Sequence, residues 1–132
     1  MQRNKKILFQ EWIKRAKDDE LNILSVLKHR DGTPALVCFM SHQVAEKYLK
    51  AFLLLRSGDF PKTHSLLKLL ALAKKYLPVI TEELENRVIL LNPYYIEARY
   101  PTDIPLESFS WKMAEDAYRA ANKVKKFVLE KI

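Results

Sequence analysis

Glycine, cysteine and long apolar runs are scarce in this chain, and each scarcity excludes a class of protein. Two glycines in 132 residues are too few for a sheet-rich fold with many tight turns, or for a glycine-rich phosphate loop. The single Cys38 cannot form an internal disulfide, and its apolar neighbours favour a buried thiol in a reducing compartment. No apolar run approaches the roughly 20 residues of a membrane span, so we expect a cytoplasmic protein without membrane partners.

Metal-ligand spacing is also missing from the sequence. The three histidines lie far apart, and neither an HExxH nor a CxxC pattern occurs. We therefore expect no metal and no cofactor, and any enzymatic activity would depend on Arg, His and Tyr acting without metal. The net charge of +7 permits a phosphate-bearing or acidic partner, although a charge excess that only keeps the protein soluble explains it equally well.

Apolar residues recur at helical spacing through most of the chain. The pattern predicts helices over Ile7–His29, Pro34–Leu55 and His64–Leu77, a shorter one from a Thr81 cap to Leu91, and a last one over Ser110–Leu129. Gly32 and Thr33 are predicted to cap the first break, Thr63 the start of the third helix, and Pro78 its end. The apolar stripe of the last helix consists of Ala114, Ala117, Ala121, Val124 and Val128. The sequence predicts an all-α fold, an up-and-down bundle of four long helices with an additional short helix, in a single domain spanning residues 1–132.

The second helix carries one polar stripe on an otherwise apolar surface. Gln43, Glu46, Lys47 and Lys50 fall at i, i+3, i+4 and i+7. Two interpretations stay open, because the stripe is either a solvated face with a Glu46–Lys50 pair or a face turned toward a pocket or a second subunit. His64, at the predicted start of the third helix, either packs there or points at the same site.

The segment Asn92–Pro101, NPYYIEARYP, concentrates tyrosines and charges between two prolines. The prolines restrict its backbone, which favours a defined wall or lid over a mobile connector. Arg99 is the residue with the strongest expectation of a specific partner, and the two candidates are Glu46 and a phosphate. Tyr94 and Tyr95 can instead simply pack on the bundle.

Several motifs together resemble the HEPN domain family. They are AEKYLKA at Ala45–Ala51, KTHSL at Lys62–Leu66 and ARYP at Ala98–Pro101, accompanied by a first helix with Trp12, Ala16 and Asp19. The resemblance covers nearly the whole chain. It implies a helical bundle that forms a homodimer, and a partner of the minimal nucleotidyltransferase type, as in toxin–antitoxin pairs. Some members of the family are metal-independent ribonucleases with an Arg-x4–6-His motif, and others bind nucleotides without catalysis.

This chain departs from the ribonuclease pattern. Seven residues separate Arg56 from His64, and no histidine follows Arg99. The favoured hypothesis is therefore a non-catalytic module that binds a nucleotide-type ligand or RNA, or a nucleotidyltransferase partner. Its predicted ligand-binding residues are Glu46, Lys47, Lys50, His64, Tyr95, Arg99 and Tyr100. The alternatives are an endoribonuclease toxin that uses Arg56 or Arg99 with His64, and a dimeric scaffold in which these polar groups only satisfy one another.

Overall fold

The computed structural model describes residues 3–77 and 79–132, and the part of the chain it describes contains helices but no strand. The helices are α1 (Arg3–His29), α2 (Pro34–Ser57), α3 (Leu66–Ala73), α4 (Glu82–Leu91), α5 (Tyr94–Glu97) and α6 (Trp111–Glu130), with short 3-10 turns at Lys74–Tyr76 and Leu106–Ser108. The predicted all-α fold is confirmed. Among the described residues, no helix combines the length and apolarity needed to cross a bilayer.

Helix α2 lies at the centre of the bundle. It packs against α1, α3, α5 and α6, and most of its side chains are buried. Helices α1 and α2 run antiparallel. Trp12 of α1 approaches Lys50 of α2, and Asp19, about two turns further along α1, pairs with Lys47, which comes earlier on α2. A nearly buried α2 means that its polar side chains must find partners inside the protein.

Helix α6 approaches α2 through small side chains. Its buried residues are Ala114, Ala117, Ala120, Ala121, Val124 and Val128, which confirms the predicted stripe. On the same side of the core, Glu20 of α1 is buried and accepts hydrogen bonds from the Tyr48 hydroxyl (3.0 Å) and the Lys125 ammonium (2.8 Å). Burial and the nearby carboxylate raise the pKa of Tyr48, so its hydroxyl stays a donor at neutral pH.

One of the two caps predicted at the first break is placed differently in the structure. Thr33 caps α2 as predicted, through the backbone N–H of Leu36. The prediction that Gly32 ends α1 in the left-handed conformation is wrong, because that conformation belongs to Arg30, with φ of 56°. Gly32 is needed for close approach instead, since a Cβ there would lie 3.0 Å from Cγ1 of Val26.

Helix α3 is shorter than predicted. It begins at Leu66 because the hydroxyl of Ser65, not of Thr63, accepts the backbone N–H of Lys68 (3.2 Å). Thr63 caps only the turn before it, by accepting the N–H of Ser65 (3.1 Å). The helix gives way to a 3-10 turn after Ala73, and Pro78, the predicted stop, lies outside the described residues.

Cys38 is a buried core residue, as predicted. Burial raises the pKa of its thiol from 9.0 to about 12, although a hydrogen bond with Tyr94 acts in the opposite direction. Because the thiolate is the nucleophilic form, the side chain behaves as a small apolar group at neutral pH.

Candidate functional site

A buried carboxylate on α2, that of Glu46, is the centre of the candidate site. Glu46 is 4% exposed. Its Oε2 accepts a hydrogen bond from Nζ of Lys50 (3.1 Å), and its Oε1 bonds Nδ1 of His64 (3.0 Å). The predicted Glu46–Lys50 pair therefore exists but is buried, not solvated. Each carboxylate oxygen is used, one within the helix and one for a residue 18 positions away.

Lys50 fixes the loop that carries His64. Its ammonium lies 5.6 Å from the ring centres of both Trp12 on α1 and Phe60 in the loop. The two rings also pack edge-to-face, with centroids 5.2 Å apart. A buried cation between a carboxylate and two aromatic rings holds the 58–65 loop against α1, which restricts the position of His64.

The His64 ring is stacked on Tyr95 of α5. Their ring centroids are 4.0 Å apart and the planes differ by 10°. The side chain of His64 is half exposed, whereas Tyr95 lies against Phe39 and His42 on α2, with centroids 5.9 and 5.7 Å away. The exposed imidazole is therefore held on one edge by a carboxylate and on one face by a phenol ring.

Asn92 joins the NPYYIEARYP segment to the start of α3. Its side-chain oxygen accepts the backbone N–H of Leu66 at 2.8 Å and that of Leu67 at 3.4 Å. Two otherwise unpaired amide groups of the first turn are satisfied in this way. The start of the segment is thus attached to the first turn of α3, next to His64.

His42 is a buried imidazole beside the same carboxylate. It is fully buried, its Nδ1 lies 3.8 Å from Oε1 of Glu46, and neither ring nitrogen forms a hydrogen bond of good geometry with any described residue, although Gln43 and the backbone of His64 lie near enough to favour the protonated ring weakly. Burial lowers its pKa below the ordinary 6.5, against the opposing attraction of Glu46. His42 is therefore uncharged in the folded protein at neutral pH.

We expect His42→Leu to reduce the dependence of stability on pH. In the unfolded chain His42 takes up a proton near pH 6.5, whereas in the folded protein its pKa is lower. The contribution of the neutral ring to the free energy of unfolding is therefore complete above pH 6.5 and decreases as the pH falls below that value. The titratable groups that act on His42 are Glu46 on α2 and His64 from the loop, and both remain in the variant. Urea unfolding between about pH 7 and about pH 5 measures the slope. His29→Leu, at the exposed end of α1, is the matched control, and an unchanged slope in His42→Leu contradicts the expectation.

An open pocket of about 760 Å³ lies between the start of α3 and the segment 92–104. Its polar lining consists of His64, Ser65, Asn92, Tyr95, Glu97, Thr102 and Asp103. A second pocket of about 350 Å³ shares Glu97, Thr102 and Ile104 with it and is also lined by Arg99 and Tyr100. The two pockets lie side by side along the NPYYIEARYP segment, and we call them together the segment cleft.

The structure brings together four of the predicted site residues and separates the others. Glu46, Lys50, His64 and Tyr95 form the contacts described above. Lys50, predicted to contact phosphate, is buried, with its side chain only 6% exposed. The ammonium of Lys47 pairs instead with Asp19 on α1.

Arg56 and Arg99 also have partners that the sequence did not predict. The guanidinium of Arg56 donates to the backbone carbonyl of Lys131 at the end of α6 and lies over the ring of Phe52. Arg99 does not pair with Glu46, whose oxygens are occupied by Lys50 and His64. Its guanidinium lies over the rings of Phe39 (4.9 Å) and Tyr100 (5.5 Å) at the edge of the segment cleft.

Three residues of the site were missed by sequence reasoning. His42 lies four positions before Glu46, and this spacing could have placed it on the same helix face. Asn92 is visible as a capping residue type, but the helix it caps is 26 residues earlier in the chain. Asp103 lies on irregular chain, where no periodicity indicates which way a side chain points.

Comparisons with known proteins identify the family of the chain. The model of the HEPN domain matches residues 9–132. TT1696 from Thermus thermophilus is 30% identical over 94% of this chain and 98% of its own, with a TM-score of 0.78. A HEPN domain protein from Thermotoga maritima, tm0613, is 27% identical over 91% of this chain and 95% of its own, with a TM-score of 0.70.

A third solved structure shares the fold at lower identity. ST0689, an archaeal HEPN homologue, is 24% identical over 93% of this chain and 96% of its own, with a TM-score of 0.73. A search of curated protein sequences gave no match. The family model spans nearly the entire chain, from within α1 to the last residue. The chain therefore belongs to the HEPN domain family.

Proposed function

We propose that this HEPN domain binds a nucleotide-type ligand in the segment cleft and is not catalytic by itself. The observation that carries the proposal is the hydrogen bond from a half-exposed imidazole to a buried carboxylate, His64 to Glu46. A charged carboxylate inside a helical core is costly unless it is paired. Here one oxygen is paired with Lys50, and the other orients a side chain that lines the cleft.

The remaining groups suit the parts of a nucleotide. With Nδ1 on Glu46, the other ring nitrogen of His64 is the one available to a ligand. The flat His64–Tyr95 pair offers a stacking surface for a base. Arg99, exposed at the cleft edge, presents a guanidinium of the kind that binds phosphate bidentately.

Calorimetric titration tests the proposal. Wild-type protein at low salt is titrated with GMP, AMP and a short single-stranded RNA, because phosphate contacts weaken as salt rises. We expect saturable binding to at least one of these, weakened about tenfold or more in His64→Ala, the loss of one good polar contact. His29→Ala, an exposed histidine at the end of α1, is the control. Absence of heat with every ligand, or equal binding by His64→Ala, contradicts the proposal.

A second candidate, metal-independent RNA cleavage, is favoured by the same dyad. An imidazole whose Nδ1 is held by a carboxylate has the arrangement of a general base. RNA cleavage also requires a cation beside the phosphate, and the predicted cation, Arg56, is bonded instead to the carbonyl of Lys131. We expect labelled RNA to stay intact with purified protein in the presence of a chelator. Cleavage that disappears in His64→Ala would establish the ribonuclease function in place of pure binding.

Assembly is a separate part of the proposal. We propose a homodimer in the cell and a minimal nucleotidyltransferase as a second partner. Leu21 and Leu24 of α1 are 68% and 46% exposed, and such apolar side chains are suited to a subunit contact. Light scattering at tens of micromolar is expected to give twice the chain mass, and a monomer would contradict the dimer.

A further inference from the structure

The two pockets of the segment cleft differ in charge, because both are lined by Glu97 but only the larger also has Asp103 and only the smaller has Arg99. The larger pocket is lined by two carboxylates, Glu97 and Asp103, and none of its lining residues, all within the described chain, is Lys or Arg. A phosphate placed there would face like charge in a partly enclosed space. The larger pocket therefore suits a part of the ligand that offers hydrogen-bond donors, and not the phosphate.

The cation lies in the adjoining smaller pocket. Arg99 is exposed, and within residues 3–77 and 79–132 its guanidinium is in no ion pair. Its positive charge lies against two aromatic faces, which position it without neutralising it. A nucleotide that spans the cleft is therefore oriented, with the nucleoside beside His64 and the phosphate beside Arg99.

The backbone around Asp103 has a defined shape. The hydroxyl of Thr102 accepts the backbone N–H of Ile104 at 3.1 Å, which closes a turn around Asp103. Glu97 is carried by α5, the helix that also presents Tyr95. Both carboxylates therefore line the same pocket as His64 and Tyr95, which is where the edge of a base stacked on the free face of His64 would lie.

Resting on the function proposed above, we propose that the segment cleft selects guanine nucleotides. A carboxylate accepts two parallel hydrogen bonds, and the N1–H and N2–H groups of guanine form such a pair of adjacent donors. Adenine and cytosine place a ring acceptor beside their amino donor, and that acceptor would face the negative charge. The ribose 2′- and 3′-hydroxyls are a second source of paired donors, so the test must separate base from sugar.

A ligand panel separates these sources. Calorimetry compares GMP with IMP, which lacks the N2 amino group, with AMP, and with deoxy-GMP, which lacks the 2′-hydroxyl. We expect GMP to bind about tenfold more tightly than IMP or AMP, the effect of one bidentate contact, and deoxy-GMP to bind within about threefold of GMP. A large loss with deoxy-GMP together with equal binding of GMP, IMP and AMP assigns the carboxylates to the ribose and overturns the selection of guanine.

Two variants locate the contacts. Because one carboxylate can replace the other, Glu97→Gln is combined with Asp103→Asn, and this double variant is expected to bind GMP and IMP within about threefold of each other. Arg99→Gln is expected to weaken GMP and AMP by the same factor and to leave guanosine binding unchanged. Asp31→Asn and Arg119→Gln, exposed residues outside the cleft, are the matched controls.

These measurements distinguish failure of nucleotide binding from failure of the preference for guanine. If no nucleotide binds, the proposed function itself fails, and the preference for guanine fails with it. If nucleotides bind with the His64 dependence proposed above but without preference among bases, only the selection of guanine is overturned. A preference for GMP over IMP that persists in the Glu97→Gln/Asp103→Asn variant also overturns the proposed selection of guanine, because the carboxylates would then not cause that preference.

Discussion

Replacing Glu46 with alanine is expected to lower the free energy of unfolding by about 3–5 kcal/mol. The substitution leaves the Lys50 ammonium buried, with its side chain 6% exposed, and removes the one carboxylate of the described residues that lies within 4 Å of it. An unpaired buried charge costs far more than the pair contributes when it is intact. His64 also loses its hydrogen bond, so the loop from Gly58 to Ser65 loses one of its attachments. Urea unfolding followed by circular dichroism measures the change.

A second variant shows whether the cost comes from the stranded charge. Glu46→Ala combined with Lys50→Met replaces the pair with apolar groups, and we expect it to recover most of the lost stability. Glu11→Ala is the matched control, because Glu11 forms an i,i+4 pair with Arg15 on the exposed face of α1, where such pairs contribute little. A loss of less than about 1 kcal/mol in Glu46→Ala contradicts a buried, desolvated pair.

Replacing Tyr95 with alanine is expected to weaken nucleotide binding by about 10- to 100-fold, the range of a base–aromatic stacking contact. Tyr95 supports one face of His64 at 4.0 Å and also lines the pocket, so its loss releases the ring on which a base would stack and removes part of the pocket wall. Calorimetry with the ligand that binds wild-type protein measures the effect, and circular dichroism confirms that the variant is folded.

Two further variants separate the ring of Tyr95 from its hydroxyl. Tyr95→Phe keeps the stack and is expected to bind within about threefold of wild type. Tyr76→Ala, at an exposed tyrosine in the 3-10 turn after α3, is the control for loss of an aromatic side chain. Wild-type affinity in Tyr95→Ala contradicts a stacking role, whereas a large loss in Tyr95→Phe shows that the hydroxyl, and not the ring, contacts the ligand.

The helices were predictable because helical periodicity is a local property. The alanine-rich face of α6 and the Thr33 cap of α2 depend on residues within four positions of each other, and both predictions are confirmed. The Glu46–Lys50 pair is local in the same way. The burial of this pair could not be predicted from the spacing, because it depends on which other helices cover α2.

The candidate site was predictable only in part, because its contacts join distant segments. The bond between Glu46 and His64 requires the 58–65 loop to turn back toward α2. The contact of Phe60 with Trp12 helps to hold the loop there, and no local sequence pattern indicates that contact. Arg99 was expected to meet Glu46 or a phosphate; the turn after α5 directs it over Phe39 and not to Glu46, so the phosphate stays a prediction. The role of a charged side chain depends on its direction as much as on its type.

The measurement that tests the central claim most directly is a ¹⁵N NMR titration of the histidine rings in untagged protein. The chain has only three histidines, so their ring signals can be assigned by substitution. We predict that GMP or AMP moves the His64 ring signals saturably, that His42 beside Glu46 responds less, and that His29 at the far end of α1 does not move. A nucleotide that binds by calorimetry yet leaves His64 unmoved would contradict the assignment of the segment cleft as the ligand site.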